Sequence, residues 1–138
     1  MKRQIPRLIT SVVGVLLIAA MLDDTALRSM LDCATEHGLF VLLESFDEED
    51  LARSSKLLDN PADRERAESG QLLFGVNTRN LRTLHVDPDR LETLAPALPT
   101  ARCVAESGLR EADDAARVAG WGYTMALVGS ALMRSNDP

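Results

Sequence analysis

Short apolar runs alternate along the chain with longer stretches whose apolar residues recur at helical spacing. Apolar runs of this length, rich in Val, Ile and Leu, are typical of strands that are buried on both faces. The pattern therefore predicts five buried strands. They fall within residues 12–21, 39–46, 72–77, 102–107 and 124–129.

Four helices are predicted between these strands, within residues 21–38, 47–58, 87–98 and 110–120. In the first helix, Asp24 is the expected N-cap, because an Asp side chain can accept a hydrogen bond from a free N–H of the first turn. In the third helix, Pro88 lies near the start, and the apolar face is formed by Leu91, Leu94 and Leu98. In the fourth, the alanines at positions 112, 115, 116 and 119 form a stripe that we expect to lie against the sheet.

Strands and helices alternate strictly in this prediction, which implies an α/β fold with a parallel sheet and right-handed crossovers. At 138 residues, the chain fits one domain, residues 1–138. Residues 59–71 interrupt the alternation. They are highly charged and contain Pro61 and Gly70, so we predict a solvated loop with at most one helical turn.

The start of the chain allows two interpretations. Two basic residues precede an apolar run from Val12 to Met21, which is the outline of a secretory signal. The run is too short for a membrane-spanning helix. Its β-branched residues, followed at once by a helical pattern, favour a buried strand instead.

Composition excludes some classes of function. A net charge of −6 and an aromatic content of 4% argue against a nucleic-acid-binding protein, which needs basic and stacking side chains. Cys33 and Cys103 are far apart in sequence and form no CxxC motif, so we expect two reduced, buried thiols, no metal site and a cytoplasmic location.

Polar residues and glycines follow the apolar runs directly. In chain order they are Glu44, Asn77 and Arg79, then Glu106, Ser107 and Gly108, and finally Gly129 and Ser130. Polar groups at the carboxyl ends of several parallel strands are typical of a (βα)8-barrel active site, where glycine turns after the last strands bind phosphate. Without such a site, Glu44 would be a solvated strand-end acid, His37 a helix C-terminal residue and His85 a loop residue, while Trp121 and Tyr123 would serve packing.

Five segments in register resemble the indole-3-glycerol-phosphate synthase family. They are LLIAAMLDD, VLLESFDEEDL, GVNTRNLRTLHVD, VAESG and LVGSALMR. The resemblance runs from about Val15 to Pro138 and corresponds to barrel strands four to eight. It implies an incomplete (βα)8 barrel, and it identifies the first apolar run as a barrel strand rather than a signal peptide.

The resemblance also implies roles for individual residues. The family closes an indole ring on carboxyphenylamino-deoxyribulose phosphate, with loss of CO2 and water, and uses no cofactor. Glu44 matches the general base, Asn77 and Arg79 match residues that hold the substrate, and Glu106 matches an acid that organises the site. The remaining matches, to substrate and phosphate contacts, are Ser107, Gly108, Gly129 and Ser130.

The sequence departs from the family in several places. Thr78 replaces an Asn, Phe46 stands where His or Asn is common, and residues 60–69 look inserted. The Glu and two Lys that the family places on its first and third strands have no match, and neither Lys2 nor Lys56 follows a predicted strand. We therefore expect the chain to be inactive by itself. The alternatives are completion by an amino-terminal half-barrel, or a non-catalytic remnant that binds phosphate or self-associates through its open strand edges.

Overall fold

A computed structural model describes residues 13–81, 83–129 and 133–134. Its strands form one sheet in the order β1-β2-β3-β4-β5, and every neighbouring pair is parallel. This confirms the predicted α/β class, and the arrangement is consistent with part of a (βα)8 barrel. The strands are β1 Gly14–Ile18, β2 Phe40–Ser45, β3 Leu72–Asn77, β4 Cys103–Glu106 and β5 Met125–Leu127.

Helices follow the first four strands, as the alternation predicted. They are α1 Asp24–Glu36, α2 Glu48–Ser55, α3 Pro61–Ser69, α4 Arg90–Leu94 and α5 Ala112–Gly120. The third predicted helix is shorter than expected, because α4 passes into a 3₁₀ turn, Ala95–Ala97, that contains a proline. Within the described ranges, no helix is long and apolar enough to cross a membrane.

The charged segment 59–71 was wrongly predicted as a loop, since α3 occupies most of it. The Asn60 side chain accepts a hydrogen bond from the N–H of Ala62, and Pro61 begins the helix with its backbone already constrained. Gly70 ends the helix in the left-handed conformation, with φ of 84°. The sequence therefore carries clear signals for the start and the end of α3, although this helix lacks a continuous apolar face.

Two other expectations about helices were also wrong. The N-cap of α1 is Asp23, not Asp24, because Asp23 Oδ1 accepts from the N–H of Ala26 at 2.7 Å. The alanine stripe of α5 is exposed. That helix packs through Val118 instead, which buries more apolar area than an alanine can. Of the two free cysteines, Cys103 is buried, but Cys33 is exposed on α1, contrary to the prediction.

The two faces of the sheet carry different side chains, because direction alternates along each strand. One face contributes Leu43, Phe74 and Ala105 to the main core beneath the helices. The opposite face, called here the inner face, holds a smaller cluster of Leu42, Leu73 and Val104. Glu44, Asn77 and Glu106 share the alternation of this inner face and lie at the carboxyl ends of β2, β3 and β4.

Candidate active site

A buried hydrogen bond joins the ends of β2 and β3. Asn77 Nδ2 donates to Glu44 Oε1 at 2.9 Å, and Asn77 Oδ1 accepts from the backbone N–H of Arg79 at 2.9 Å. Glu44 is only 4% exposed, so it is not the solvated strand-end acid that the residues alone would suggest. The amide of Asn77 is held from both ends, which fixes the orientation in which it meets the Glu44 carboxylate.

Glu106 at the end of β4 is a second buried acid, 5% exposed. Its pKa is raised to about 8, chiefly by burial and in addition by the negative charge of the adjacent Glu44 and by a hydrogen bond with it. Its Oε2 atom is buried and has no hydrogen-bond partner among the described residues. The raised pKa favours the protonated form of Glu106 at neutral pH, so this side chain is suited to donate a proton or a hydrogen bond beside Glu44.

A tight turn follows Glu106. Ser107 and Gly108 both have left-handed backbone conformations, with φ of 66° and 82°, and only the glycine adopts this conformation without strain. Thr78 is fully buried below the turn, and its hydroxyl donates to the Glu106 carbonyl oxygen at 3.3 Å. Thr78, which departs from the family pattern, thus links β3 to β4 rather than facing a ligand.

An open cavity of about 810 Å³ lies at these strand ends. The predicted site residues Arg79, Glu106, Ser107, Gly108 and Gly129 all line it. Glu44 and Asn77 contribute no lining surface, while Ser130 lies outside the described residues. Other cavity residues that carry charge are Arg110 and Arg134. A cavity with three guanidinium groups suits an anionic ligand. No group of three potential metal ligands was found in the part of the chain that the structure describes.

Arg90 supports the loop after Glu44, which the sequence analysis did not anticipate. Its Nη1 donates to the carbonyl oxygen of Phe46 at 2.9 Å, and its guanidinium carbon lies 3.9 Å from the centre of the Phe46 ring. On the other side, the N–H of Phe46 donates to Asp50 Oδ2 at 3.1 Å. No local motif distinguishes Arg90 from other helix arginines, so its contact with Phe46, 44 positions away, appears only in the fold.

The remaining candidates take structural positions, as expected. His37 caps α1 at its C-terminal end, and His85 is exposed in a loop. Tyr123 is buried, and its hydroxyl donates to the Leu91 carbonyl oxygen at 2.9 Å, while Trp121 packs against the main core.

Glu106→Gln should make the protein more stable at pH 8. The folded state holds a proton at Glu106 that the unfolded chain releases above its ordinary pKa of 4.5, so this contribution to stability is lost as the pH rises from 4.5 to about 8. Urea unfolding should show a gain of up to about 4 kcal/mol for the variant at pH 8 and little change near pH 4.5. The exposed Glu92→Gln on α4 is the control. If the stability of Glu106→Gln depended on pH in the same way as that of the wild type, the raised pKa of Glu106 would be contradicted.

A parallel βα sheet whose polar strand ends surround one cavity is the arrangement of (βα)8-barrel enzymes. The family model for indole-3-glycerol phosphate synthase matches residues 3–138. The chain therefore belongs to the indole-3-glycerol phosphate synthase family.

Similar proteins agree with this assignment. The indole-3-glycerol phosphate synthase of Nocardioides sp. is 43% identical over 125 residues, which are 90% of this chain and 44% of that protein. Those of Rhodococcus opacus and Mycobacterium leprae are 39% and 40% identical, over 90% and 89% of this chain and 42% and 41% of theirs. The chain thus spans less than half the length of these relatives.

Proposed function

We propose that the chain supplies the carboxyl-terminal half of an indole-3-glycerol phosphate synthase active site. The reaction would be ring closure of carboxyphenylamino-deoxyribulose phosphate, with loss of CO2 and water, in tryptophan biosynthesis in the cytoplasm. The observation that supports this most is the cluster of Glu44, Asn77 and Glu106, buried at three adjacent strand ends beside a cavity.

The geometry suggests separate roles for Glu44, Glu106 and Arg79. Glu44 is the proposed general base, since its carboxyl group lies at the end of β2 and Asn77 orients one of its oxygens. Glu106 is the proposed organising acid, because its pKa is raised and its side chain adjoins Glu44. Arg79 lines the cavity as a cation and is the proposed contact for the anthranilate carboxylate.

The general acid is proposed to come from strands other than these five. The sequence contains two lysines, Lys2 and Lys56. Lys56 is exposed in the 3₁₀ turn after α2 and does not line the cavity, and Lys2 lies outside the described residues. The 138-residue chain incubated alone with the substrate should therefore give no indole fluorescence above a blank. Robust turnover would contradict this proposal.

The turns after β4 and β5 are the proposed phosphate site, with backbone N–H groups of Ser107, Gly108, Gly129 and Ser130 as donors. Phosphate or sulfate should shift the amide NMR signals of Gly108 and Gly129 before others, with millimolar affinity. A side chain added at Gly129 meets no atom within 4 Å, so Gly129→Val should fold but block the anion and remove the shifts. Gly120→Val, at an equally open position, should keep them. A folded wild-type chain without selective shifts would exclude the site.

Self-association is a second candidate, favoured by exposed apolar residues on the two edge strands. Leu16 on β1 and Leu127 on β5 are 52% and 51% exposed. In the described sheet, each of these strands has one neighbour, and an unpaired apolar edge tends to bind another strand.

We expect dimers or larger species in sedimentation at micromolar concentration, and Leu127→Lys should reduce them. Met30→Lys, at a residue that is 48% exposed on α1, should leave association unchanged. A stable, cooperative wild-type monomer would argue against this candidate.

A further inference from the structure

Gly75 lies in the middle of β3, between the two buried acids. In the parallel register, it pairs with Glu44 of β2 on one side and with Val104 of β4 on the other. Its neighbours on the inner face along β3 are Leu73 and Asn77, both of which carry full side chains. The glycine therefore leaves a gap in this face, one residue wide.

The side chain of Glu106 occupies this gap. Glu106 pairs with Asn77, two positions beyond Gly75, yet its carboxyl group lies back over Gly75 itself. A Cβ atom at position 75 would overlap Glu106 Oε2 and would lie 2.9 Å from Glu106 Cδ. Oε2 is the buried atom without a hydrogen-bond partner, so the part of the carboxyl group nearest the glycine has no polar contact to hold it there.

Strand spacing makes the gap necessary for contact between the acids. Strands β2 and β4 are separated by β3 and thus lie about 10 Å apart. Two side chains that stood straight out from these strands would remain apart, with any side chain at position 75 between them. Glu106 reaches Glu44 by crossing β3 at the one inner-face position where no Cβ blocks it.

We infer that Gly75 is a positioning residue, whose missing side chain allows the Glu106 carboxyl group to cross β3 and contact Glu44. Its importance for catalysis rests on the function proposed above, but the contact itself does not. The other charged residues that line the cavity with Glu106 are Arg79, Arg110 and Arg134. Displaced from the gap, the carboxyl group would move away from Glu44 and toward these cations and solvent.

The test is a carboxyl ¹³C NMR titration of Glu106, which requires no substrate and is independent of enzymatic activity. With Gly75 present, the midpoint should lie at about pH 8, and Glu44→Gln should lower it. In Gly75→Ala, the midpoint of Glu106 should fall by more than one pH unit. Glu44→Gln should then lower this midpoint by less than it does when Gly75 is present. Gly14→Ala is the matched control. Gly14 is also an inner-face strand glycine whose Cβ would overlap a side chain, but that side chain is Phe40 and not an acid. Gly14→Ala should therefore leave the titration midpoint of Glu106 unchanged.

A folded Gly75→Ala chain with an unchanged midpoint and an unchanged response to Glu44→Gln would overturn the inference. If Gly75→Ala does not fold, the inference is tested in a second experiment with Glu106→Ala, which removes the carboxyl group that the new Cβ would overlap. Gly75→Ala combined with Glu106→Ala should then fold, and its urea midpoint should match that of Glu106→Ala alone. An equal loss of stability with and without the Glu106 carboxyl group would also overturn the inference.

Discussion

Replacing Glu44 by Gln is expected to reduce ring closure by about 10²- to 10⁴-fold when the chain is combined with a fragment that carries the first three strands of a full-length family member. The Gln carbonyl oxygen can still accept the hydrogen bond from Asn77 Nδ2, so the packing of the pair survives. What the variant loses is the ability to accept a proton. Indole fluorescence measures the rate directly.

The control for this variant is Glu48→Gln. Glu48 is an exposed acid in the first turn of α2, four residues from Glu44, and its replacement should leave the rate unchanged. A combined enzyme in which Glu44→Gln retains the wild-type rate would show that Glu44 is not the base.

Replacing Asp63 by Ala should destabilise the fold by about 3 kcal/mol, because it leaves arginines without their buried partner. Asp63 on α3 is fully buried, and its carboxylate accepts two hydrogen bonds from Arg28 at 3.0 and 2.6 Å. It accepts a third from Arg66 at 2.8 Å. The cluster ties α3 to α1, since Arg28 belongs to α1.

Urea unfolding of Asp63→Ala measures this effect. Glu65→Ala, at an exposed acid on the same helix, is the control and should change stability by less than about 0.5 kcal/mol. If both variants unfold at the wild-type urea concentration, the cluster contributes no stability, and other contacts hold α3.

The strands were predictable because each apolar run maps onto one strand. The prediction that all five are buried was wrong for the edge strands: β2, β3 and β4 are buried, but β1 and β5 are largely exposed because each has one neighbour in the described sheet. The six residues predicted for the third strand are those of β3, Leu72–Asn77, and all six are buried. The prediction of α3 failed for the opposite reason. Its caps were visible in the sequence, but the partners of Asp63 are two arginines, and one of them, Arg28, is 35 positions away. A buried ion pair produces no apolar periodicity, so the segment was predicted to be solvated.

The positions of the site residues were predictable, but their contacts were not. The alternation of strands and helices, together with the positions at which the strands end, placed Glu44, Asn77 and Glu106 at one edge of the sheet. The contact between the two acids depends on Gly75, which appeared in the sequence only as one residue of an apolar run. A glycine inside a strand often marks a close approach of other atoms to the backbone, so Gly75 itself is the sequence signal for this contact. The support from Arg90 depends on loop geometry that no local pattern encodes.

The most direct test of the proposed function is to combine the purified 138-residue chain with a fragment that carries the first three strands of a full-length family member. Formation of indole-3-glycerol phosphate is then assayed. We expect turnover for the mixture and none for either part alone, because the proposed base and the proposed acid lie in different segments. Turnover by the chain alone would contradict it. So would a stable complex of the two parts that binds the substrate but forms no product.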